Sequence, residues 1–233
     1  MKQRAGKKKL LITAGPTREP IDPVRFISNY STGTLGYTLA ALASRRGYQV
    51  TLISGPTELP CPKGVLRVPV ETAAQMQQAV AKAFPVADVL VMSAAVADFR
   101  PVRVANQKIK RSGAAGSLRL WQLDLVENPD IVAEAARRRR PGQAVIGFAL
   151  ETQHLLANAR RKLKGKGLDA IVATRYFPTR KGCGPFGSEP VDGAILDRRG
   201  RAKEFRSLTK KLLAARILDA VGRVLAEQSC ASC

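Results

Sequence analysis

The chain leaves its first predicted strand through a run of small and polar residues that could bind phosphate groups. The apolar run Lys9–Ala14 predicts the strand, and Gly15 follows it directly. After a proline-containing excursion the chain reaches Ser31, Gly33 and Gly36 at the predicted start of a helix. Backbone N–H groups at a helix start can donate to phosphate oxygens, and glycine lets a ligand approach the sheet closely. An ordinary helix cap by a hydroxyl side chain explains the same residues without a ligand.

A second strand, predicted over Asp88–Ser93, ends in small residues followed by one carboxylate. Ala94 and Ala95 leave room for a ligand against the backbone, and Asp98 adds an acidic group at the rim. In an open α/β sheet, ligands bind at the carboxyl ends of the strands beside a topological switch point. Asp98 could therefore contact a ribose, a polar substrate group or a magnesium ion. The capping of a turn is the structural alternative.

A polar segment, Phe99–Gly116, has no apolar periodicity and is predicted to be a long mobile loop. It carries Lys108, Lys110 and Arg111. Three cations on such a loop suit a flexible flap that closes over a triphosphate and neutralises its charge in the transition state. In a chain with a net charge of +21, an exposed basic loop without a ligand is the alternative.

The sequence also argues against several kinds of site. His154 is the one histidine, so a Ser-His-Asp triad and a histidine-rich metal site are not expected. The phosphate-binding pattern G-x-x-x-x-G-K-[ST] is absent. Cys230 and Cys233 form a C-x-x-C pair that ends the chain and has no second pair, which favours incidental thiols over a redox or zinc site. No metal-ligand set is identified.

These candidate residues require a sheet that brings the strand ends together. Short apolar runs alternate with longer helical patterns, which is typical of a doubly wound, mostly parallel, Rossmann-like α/β sheet. Near the end of the chain, Asp197-Arg198-Arg199-Gly200 predicts a hairpin, and a final helix follows it. The predicted strands are Lys9–Ala14, Gln49–Ser54, Val65–Val70, Asp88–Ser93, Ser117–Leu125, Ala144–Leu150, Asp169–Thr174, Asp192–Leu196 and Arg201–Phe205. The predicted helices are Gly33–Arg46, Thr72–Phe84, Pro129–Arg140 with Asn128 as its cap, Leu155–Lys166 and Ser207–Glu227.

Composition predicts one nucleotide-binding domain over residues 9–228, between a basic tail of residues 1–8 and a short tail of residues 229–233. The sequence has no run of about 18 apolar residues and no signal peptide, so a cytoplasmic protein without membrane contact is expected. The 39 Lys and Arg residues against 18 Asp and Glu predict attraction to anions. Aromatic residues make up only 5%, so a dedicated nucleic-acid surface is not favoured.

Five segments, taken in order, resemble one known family. LITAGPTREPIDPVRFISNYSTGTLG (residues 11–36) looks like the opening of phosphopantothenoylcysteine synthetase, the synthetase half of bacterial bifunctional coenzyme A enzymes. SAAVADFRP, KIKR, ENPDIV and GFALET follow in the same order and at matching distances. The resemblance extends over about residues 10–211, and the segments lie at the ends of predicted strands.

The resemblance implies a Rossmann-like fold, a homodimer and a two-step ligase reaction of coenzyme A biosynthesis. First, the carboxylate of 4′-phosphopantothenate attacks the α-phosphate of CTP, which gives an acyl-cytidylate and pyrophosphate, with magnesium bridging the phosphates. The cysteine amine then displaces the nucleotide and forms the amide. ATP remains the alternative to CTP. No flavin is expected in this chain, and the decarboxylation of the product would belong to a separate chain.

The family also implies roles for individual residues. Asn29 would stabilise the acyl-nucleotide and the oxyanion that forms on amine attack, and Lys108 would bind the phosphates and help the second step. Arg25 would reach the substrate from the partner subunit. The nucleotide site would consist of Gly15, Ser31, Gly33, Gly36, Lys108 and Phe148, and the pantothenate portion would contact Asn29, Ala94, Ala95 and Asp98.

The sequence departs from the family at two places. Thr34 stands where relatives often carry a lysine beside the phosphates. Ala173-Thr174-Arg175 stands where they carry Ala-Asn-Asp, so the usual asparagine contact to the nucleotide is lost or is replaced by Thr174 or Arg175.

Two other interpretations stay open. One is an NAD(P)-dependent oxidoreductase, in which Arg45 and Arg46 could accept a 2′-phosphate. The other is a Rossmann-fold protein with weakened catalysis that binds nucleotides or nucleic acid, which the net charge favours.

Overall fold

The main feature of the fold is an eight-stranded sheet with helices on both faces. The computed structural model describes residues 6–110, 121–176 and 189–230. Within these ranges the strands are β1 (Lys9–Ala14), β2 (Arg18–Pro20), β3 (Phe26–Ser28), β4 (Gln49–Ser54), β5 (Val65–Pro69), β6 (Val89–Met92), β7 (Phe99–Pro101), β8 (Leu125–Glu127), β9 (Ala144–Glu151), β10 (Ala170–Arg175), β11 (Val191–Asp197) and β12 (Ala202–Leu208). The helices are α1 (Thr34–Arg45), α2 (Ala73–Ala83), α3 (Ile131–Arg138), α4 (Leu155–Gly165) and α5 (Lys210–Cys230), and a 3-10 turn spans Phe84–Val86.

The strand order confirms the predicted Rossmann-like architecture. Strands β10, β9, β6, β1, β4 and β5 lie in that order and run parallel, and β11 and β12 form an antiparallel hairpin beside β10. From β1 the chain moves to β4 on one side and later to β6 on the other. The topological switch point therefore lies between β1 and β6, where such folds bind their ligands.

Each face of the sheet has its own hydrophobic core, which explains why the strands are apolar on both sides. Helices α1 and α5 cover one face, where Leu39 and Ile217 are fully buried. Helices α2, α3 and α4 cover the other face, where Met76 and Leu163 are buried. Because both faces are covered, a ligand of the sheet is expected at the loops of its carboxyl edge.

The segment predicted as a loop from Phe99 onward begins instead with a strand. Strand β7 pairs antiparallel with β8, and Phe99 lies opposite Glu127. The strand predicted over Ser117–Leu125 is wrong in its described part, because residues 121–124 are not in a strand and the pairing begins at Leu125. A three-residue pair that joins distant segments is too short to leave an apolar pattern in the sequence.

The predicted cap of α3 is also wrong. Asn128 does not cap the helix, because its Nδ2 donates to the carbonyl of Ala97 at 2.9 Å. Asp130 is the N-cap, and its carboxylate accepts from the N–H of Ala133 at 3.1 Å. Asparagine and aspartate are both favoured as N-cap residues. Because the side chain of Asn128 is bound to Ala97, which is distant in the sequence, Asp130 forms the cap. At the C-terminal end of the fold, α5 begins at Lys210 rather than Ser207, because β12 extends to Leu208.

Several predictions fall partly outside the described residues. They are Arg111 and the rest of the flap as far as Gly116, the first four residues of the strand predicted from Ser117, tail residues 1–5, and the tail end that includes Cys233. The domain boundaries at residues 9 and 228 stay a prediction. In the three described ranges, no helix is both long enough and apolar enough to cross a membrane.

Candidate functional site

The loops that follow β1 and β6 run side by side at the carboxyl edge of the sheet. The N–H of Ala95 donates to the carbonyl of Gly15 at 2.9 Å, and the N–H of Thr17 donates to the carbonyl of Ala95 at 3.2 Å. The buried hydroxyl of Thr17 accepts from the N–H of Ala97 at 3.0 Å. These bonds join the small residues of the two strand ends into one surface at the switch point.

Helix α1 begins at this surface with a glycine as its N-cap residue. This residue, Gly33, has a φ of 78° and no side chain that could accept a capping hydrogen bond. Gly15 also has a positive φ, of 74°, and a Cβ added at Gly33 would lie 3.2 Å from the nitrogen of Gly15. Both positions favour glycine because of their backbone conformation and their mutual contact. The ordinary cap that the sequence left open stays an alternative, because the hydroxyls of Ser31 and Thr32 accept from the N–H groups of Gly33 at 3.3 Å and Thr34 at 3.5 Å.

Gly36 packs against the sheet and does not line an open cavity. A Cβ at Gly36 would lie 2.5 Å from the Cβ of Ala14 and 2.9 Å from the Oγ of Ser93. The residue is buried, and α1 packs closely on β1 at this point. Gly36 therefore sets the distance between helix and sheet, and its predicted contact with the nucleotide stays a prediction.

A cavity of about 890 Å³ opens at the switch point. Ligand sites usually measure about 300–1,000 Å³, so this cavity is large enough for a nucleotide together with part of a second substrate. Six of the residues predicted to bind substrates line it: Asn29, Ser31, Ala94, Ala95, Asp98 and Phe148. The other five lie outside its lining: Gly15, Arg25, Gly33, Gly36 and Lys108.

Asn29 bridges the loop before α1 to the loop after β6. Its Nδ2 donates to the carbonyls of Ala95 at 3.0 Å and Val96 at 3.2 Å. These two acceptors identify Nδ2 as the amino end of the amide and engage both of its hydrogen atoms. In this arrangement Oδ1 is the atom that can accept from a ligand. Donation to an oxyanion requires the side chain to rotate away from the two carbonyls.

The loop between β8 and α3 forms the opposite rim of the cavity. The N–H of Asn128 donates to the carbonyl of Asp98 at 2.7 Å, which joins this rim to the end of the β6 loop. Glu127, Pro129 and Asp130 also line the cavity. The sequence drew attention to this segment through its family pattern and through the helix cap predicted at Asn128, and its polar residues are additional candidates for contact with substrates.

Three lysines that the sequence analysis did not select line the same cavity. Lys162 and Lys166 lie four residues apart, at the end of α4 and just beyond it, and therefore point to one side. The Nζ of Lys162 lies 2.7 Å from a carboxylate oxygen of Glu151, and the Nζ of Lys166 lies 2.8 Å from a carboxylate oxygen of Asp130. The i, i+4 spacing on a helix that follows a strand end was the available signal in the sequence.

Lys210 approaches the cavity from the other face of the sheet. It is the first residue of α5 and is half-buried. Thr174 at the end of β10 and Phe148 near the end of β9 line the cavity with it. Burial lowers the pKa of Lys210 below the ordinary value for a lysine, because the charged form loses part of its hydration.

The chemistry of the carboxylates bears on the predicted magnesium ion. Among the described residues, no group of three or more His, Cys, Asp or Glu side chains could hold a metal ion. Asp98 and Asp130 nevertheless both line the cavity. Mg²⁺ is usually bound through one or two carboxylates together with substrate phosphates, so Asp98 fits an ion that arrives on a triphosphate. The carboxylate of Asp130 already accepts from the N–H of Ala133 and pairs with Lys166.

Arg25 and Lys108 lie together beyond the cavity, beside the turn between β2 and β3. Arg25 forms an ion pair with Asp22, and it also donates to the carbonyl of Ile109 at 2.7 Å. Lys108 is exposed, next to Ile109 in the chain. Arg25 and Lys108, to which the family pattern assigns substrate binding, are thus neighbours. Neither of them lines the cavity of the same chain.

An exposed apolar surface lies on the elements beside these cations. It is carried by the β2–β3 hairpin and the β7–β8 pair, which contact each other through β2 and β7. Its large side chains are Val24, Phe26, Tyr30, Phe99, Val102, Val104, Trp121, Leu125 and Val126. Patches of this kind commonly mark contact sites with other macromolecules.

Comparison with known proteins identifies similar chains. Residues 5–225 match the family described as DNA/pantothenate metabolism flavoprotein C-terminal domain. Over 229 residues the chain is 45% identical to the coenzyme A biosynthesis bifunctional protein CoaBC of Mycobacterium bovis, which corresponds to 94% of this chain and 53% of that protein. The chain thus spans about half the length of the curated relatives that it matches.

Solved structures share the fold. The crystal structure of the C-terminal domain of the bifunctional protein CoaBC has a TM-score of 0.77 and 34% sequence identity, and the match covers 94% of this chain and 96% of that chain. A Cab2 mutant in complex with phosphopantothenate-cysteine has a TM-score of 0.72, with 97% of this chain and 88% of that chain covered. Its identity is 19%, so this second likeness concerns the fold alone.

Proposed function

Because this chain belongs to the family of DNA/pantothenate metabolism flavoprotein C-terminal domains, we propose that it is a phosphopantothenate–cysteine ligase of coenzyme A biosynthesis. A carboxylate has no usable leaving group, so the carboxylate of 4′-phosphopantothenate first attacks the α-phosphate of a nucleoside triphosphate and pyrophosphate leaves. The cysteine amine then attacks the acyl carbon of this mixed anhydride. The bond from the acyl carbon to the nucleotide oxygen breaks, the amine loses a proton, and the amide forms.

The observation that carries this proposal is the cavity at the switch point. With about 890 Å³ it has room for a nucleotide and the reacting end of a second substrate, which a ligase must hold together. Its lining combines cations on both sides with an amide, Asn29, and the small residues Ala94 and Ala95. Such a lining suits a polyphosphate that must lie close to a carboxylate.

Lys162, Lys166 and Lys210 are the residues we propose to contact the phosphates of the nucleotide. They line the cavity from both faces of the sheet, and two of them are oriented by the carboxylates of Glu151 and Asp130. Ammonium groups near a developing pyrophosphate stabilise its negative charge. We propose CTP as the nucleotide on the family pattern, and a magnesium ion on the triphosphate would help to neutralise the departing pyrophosphate.

Asn29, Ala94, Ala95 and Asp98 are proposed to hold the pantothenate portion and the reacting carboxyl group. All four line the cavity, and Asn29 lies directly over the loop after β6. Rotation of its amide away from the two carbonyls would aim Nδ2 at the acyl oxygen. This side chain is therefore the candidate for stabilising the acyl-nucleotide and the oxyanion.

Of the two residues considered as replacements for the family's asparagine, Thr174 is the better candidate. It is half-buried at the carboxyl end of β10 and lines the cavity, whereas Arg175 is exposed and does not. A hydroxyl can donate or accept one hydrogen bond, so Thr174 can replace part of an amide contact to the nucleotide.

We also propose that two copies of the chain associate through the exposed apolar surface on the β2–β3 hairpin and the β7–β8 pair. Soluble monomers rarely expose large contiguous apolar patches, and a second copy would cover this one. Arg25 lies within the surface, in the turn of the first hairpin. Association there would bring each Arg25 close to the other copy, which supports the expectation that it contacts substrate across the interface.

The oxidoreductase interpretation has less support from the position of its arginines. Arg45 is the last residue of α1, Arg46 follows as its C-cap, and Arg46 forms an ion pair with Asp219 at 2.7 Å. Helix α1 begins at the carboxyl edge, and twelve residues carry it about 18 Å toward the opposite edge. The two arginines are therefore far from the cavity in which a cofactor would lie.

The proposal is tested by incubating the protein with phosphopantothenate, cysteine and magnesium, with CTP or ATP in parallel. Cysteine-dependent formation of the amide together with pyrophosphate is expected with CTP. Product with ATP alone would overturn the choice of nucleotide but not the ligase activity. Folded protein that releases no pyrophosphate with either nucleotide would contradict the ligase and favour a binding protein. Sedimentation of the same preparation measures whether it is a dimer.

Lys210→Met is expected to raise the KM for the nucleotide about tenfold, because a hydrogen bond to a charged group is lost. Lys211→Met is the matched control, since Lys211 is the next residue, is exposed and lies outside the cavity lining. Equal effects of the two substitutions would assign the loss to general surface charge instead.

The same lysine predicts a dependence of nucleotide binding on pH. Because burial lowers the pKa of Lys210, its positive charge is lost at a lower pH than that of an ordinary lysine. Nucleotide affinity should therefore decline as the pH rises through that pKa. Lys210→Arg keeps its charge over the whole range, so the KM of this variant should stay flat where the KM of the wild type rises.

A further inference from the structure

Asp22 is a buried carboxylate in the turn between β2 and β3. Its Oδ1 accepts from the N–H groups of Val24 at 2.8 Å and Arg25 at 2.9 Å, which closes the turn. Its Oδ2 accepts from the guanidinium of Arg25 through Nε at 3.0 Å and through Nη2, and from the N–H of Ile109 at 3.1 Å. Burial raises the pKa of Asp22, but the hydrogen bonds from Arg25 and the three N–H groups hold it well below the ordinary value.

The same cluster anchors the Lys108 segment, by which we mean residues 105–110. The N–H of Ala105 donates to the carbonyl of Ile21 at 3.0 Å. Ile109 donates its N–H to Asp22, and its carbonyl accepts from Nη2 of Arg25 at 2.7 Å. The segment is therefore fixed to the turn on both sides of Lys108, whose side chain is exposed.

Among the described residues, two of the three guanidinium nitrogens of Arg25 have hydrogen-bond partners. Its Nε and Nη2 are used by Asp22 and Ile109, and its guanidinium lies 5.8 Å from the ring centroid of Trp121. Its Nη1 makes no hydrogen bond to any residue in the described part of the chain. An anion bound at Nη1 would thus meet a guanidinium that already holds the Lys108 segment.

We infer that Asp22 is a positioning residue that couples Arg25 to the Lys108 segment, so that the two cations are held in one arrangement toward their ligands. One carboxylate oxygen shapes the turn, and the other joins Arg25 to Ile109. The functional part of this inference rests on the proposed ligase activity, in which both cations bind substrate. A displacement of about 1 Å in a binding group can cost about 100-fold in rate.

Asp22→Asn separates the two roles of the carboxylate. Asparagine keeps an oxygen for the two N–H groups of the turn, but its amino group cannot accept from Arg25 or Ile109. We expect kcat/KM for phosphopantothenate to fall about 10- to 100-fold. Because Trp121 is the one tryptophan of the chain, its fluorescence should also change when Arg25 is released, and this readout needs no activity.

Two controls distinguish positioning from a general loss of stability. Asp219→Asn removes a carboxylate that also pairs with an arginine, Arg46, but lies far from Arg25, and it should change neither kcat/KM nor the fluorescence. In the background of Arg25→Lys, the substitution Asp22→Asn should add little further loss, because Asp22 acts through Arg25.

Three results would overturn the coupling: unchanged kinetics and fluorescence in folded Asp22→Asn protein, losses that multiply in the double variant, or an equal effect of Asp219→Asn. If the wild type proves inactive, the proposed function fails, while the fluorescence comparison still tests the coupling. If Asp22→Asn does not fold, the Trp121 fluorescence of Arg25→Lys tests the coupling instead. The side chain of Arg25 is half-exposed, so it can be replaced without opening the core. An unchanged Trp121 signal in that variant contradicts the coupling.

Discussion

Replacing Asn29 with alanine is expected to lower amide formation about 100- to 1,000-fold, the usual cost of removing one donor from an oxyanion site. The side chain is exposed, and its hydrogen bonds to described residues go to the carbonyls of Ala95 and Val96 in the loop after β6, so the fold should survive its loss. Product formation and pyrophosphate release are measured together. Release without product would show that Asn29 acts mainly on the second step, the attack of the amine.

Asn29→Asp tests which end of the amide acts. Aspartate keeps an acceptor but has no donor, so a donor role predicts a loss as large as that of alanine, and an acceptor role predicts a smaller one. Thr32→Ala is the control, because Thr32 lies in the same loop but outside the cavity lining, and it should change the rate by no more than about twofold. Normal turnover by folded Asn29→Ala protein would remove Asn29 from the mechanism.

The strands were predictable because burial on both faces leaves an unbroken apolar run in the sequence. Strands β1 and β4 begin and end where their runs do. The short pair β7–β8 could not be predicted, because its pairing joins segments far apart and each strand has only three residues. The choice of Asp130 over Asn128 as a helix cap likewise depended on a contact with the distant residue Ala97.

Some residues of the candidate site could likewise be predicted from the sequence, and others could not. Residues that follow strands, such as Asn29, Ala94 and Asp98, could be predicted to converge, because the carboxyl ends of parallel strands meet at one edge. Lys162 and Lys210 could not be distinguished from the other cations of a chain with 39 Lys and Arg residues, because only the packed fold decides which cations face the cavity. The Asp22 cluster joins residues 84–87 positions apart and leaves no local signal.

Gly36→Val is expected to reduce the free energy of unfolding by about 3 kcal/mol, because even a Cβ at this position would lie 2.5 Å from the Cβ of Ala14. The three added carbon atoms must push α1 away from β1 or distort the sheet. For a chain of this size such a loss lowers Tm by about 6–12 °C. The displacement also moves the start of α1, so nucleotide affinity should fall together with stability. Gly36→Ala should show a smaller change in the same direction.

Gly222 provides the matched control because it is also a helical glycine, in α5, and an added Cβ there meets no atom within 4 Å. Gly222→Val should change the free energy of unfolding by no more than about 0.5 kcal/mol, since valine and glycine differ little in helix propensity. Thermal unfolding of the wild type and these three variants gives the comparison. Equal losses of unfolding free energy in Gly36→Val and Gly222→Val would mean that valine itself destabilises a helix, and that contact with Ala14 is not the cause. A raised KM for the nucleotide with an unchanged Tm in the Gly36 variants would instead indicate that Gly36 contacts the nucleotide directly. Disturbing the close packing of α1 on β1 must lower stability, so an unchanged Tm would exclude that cause.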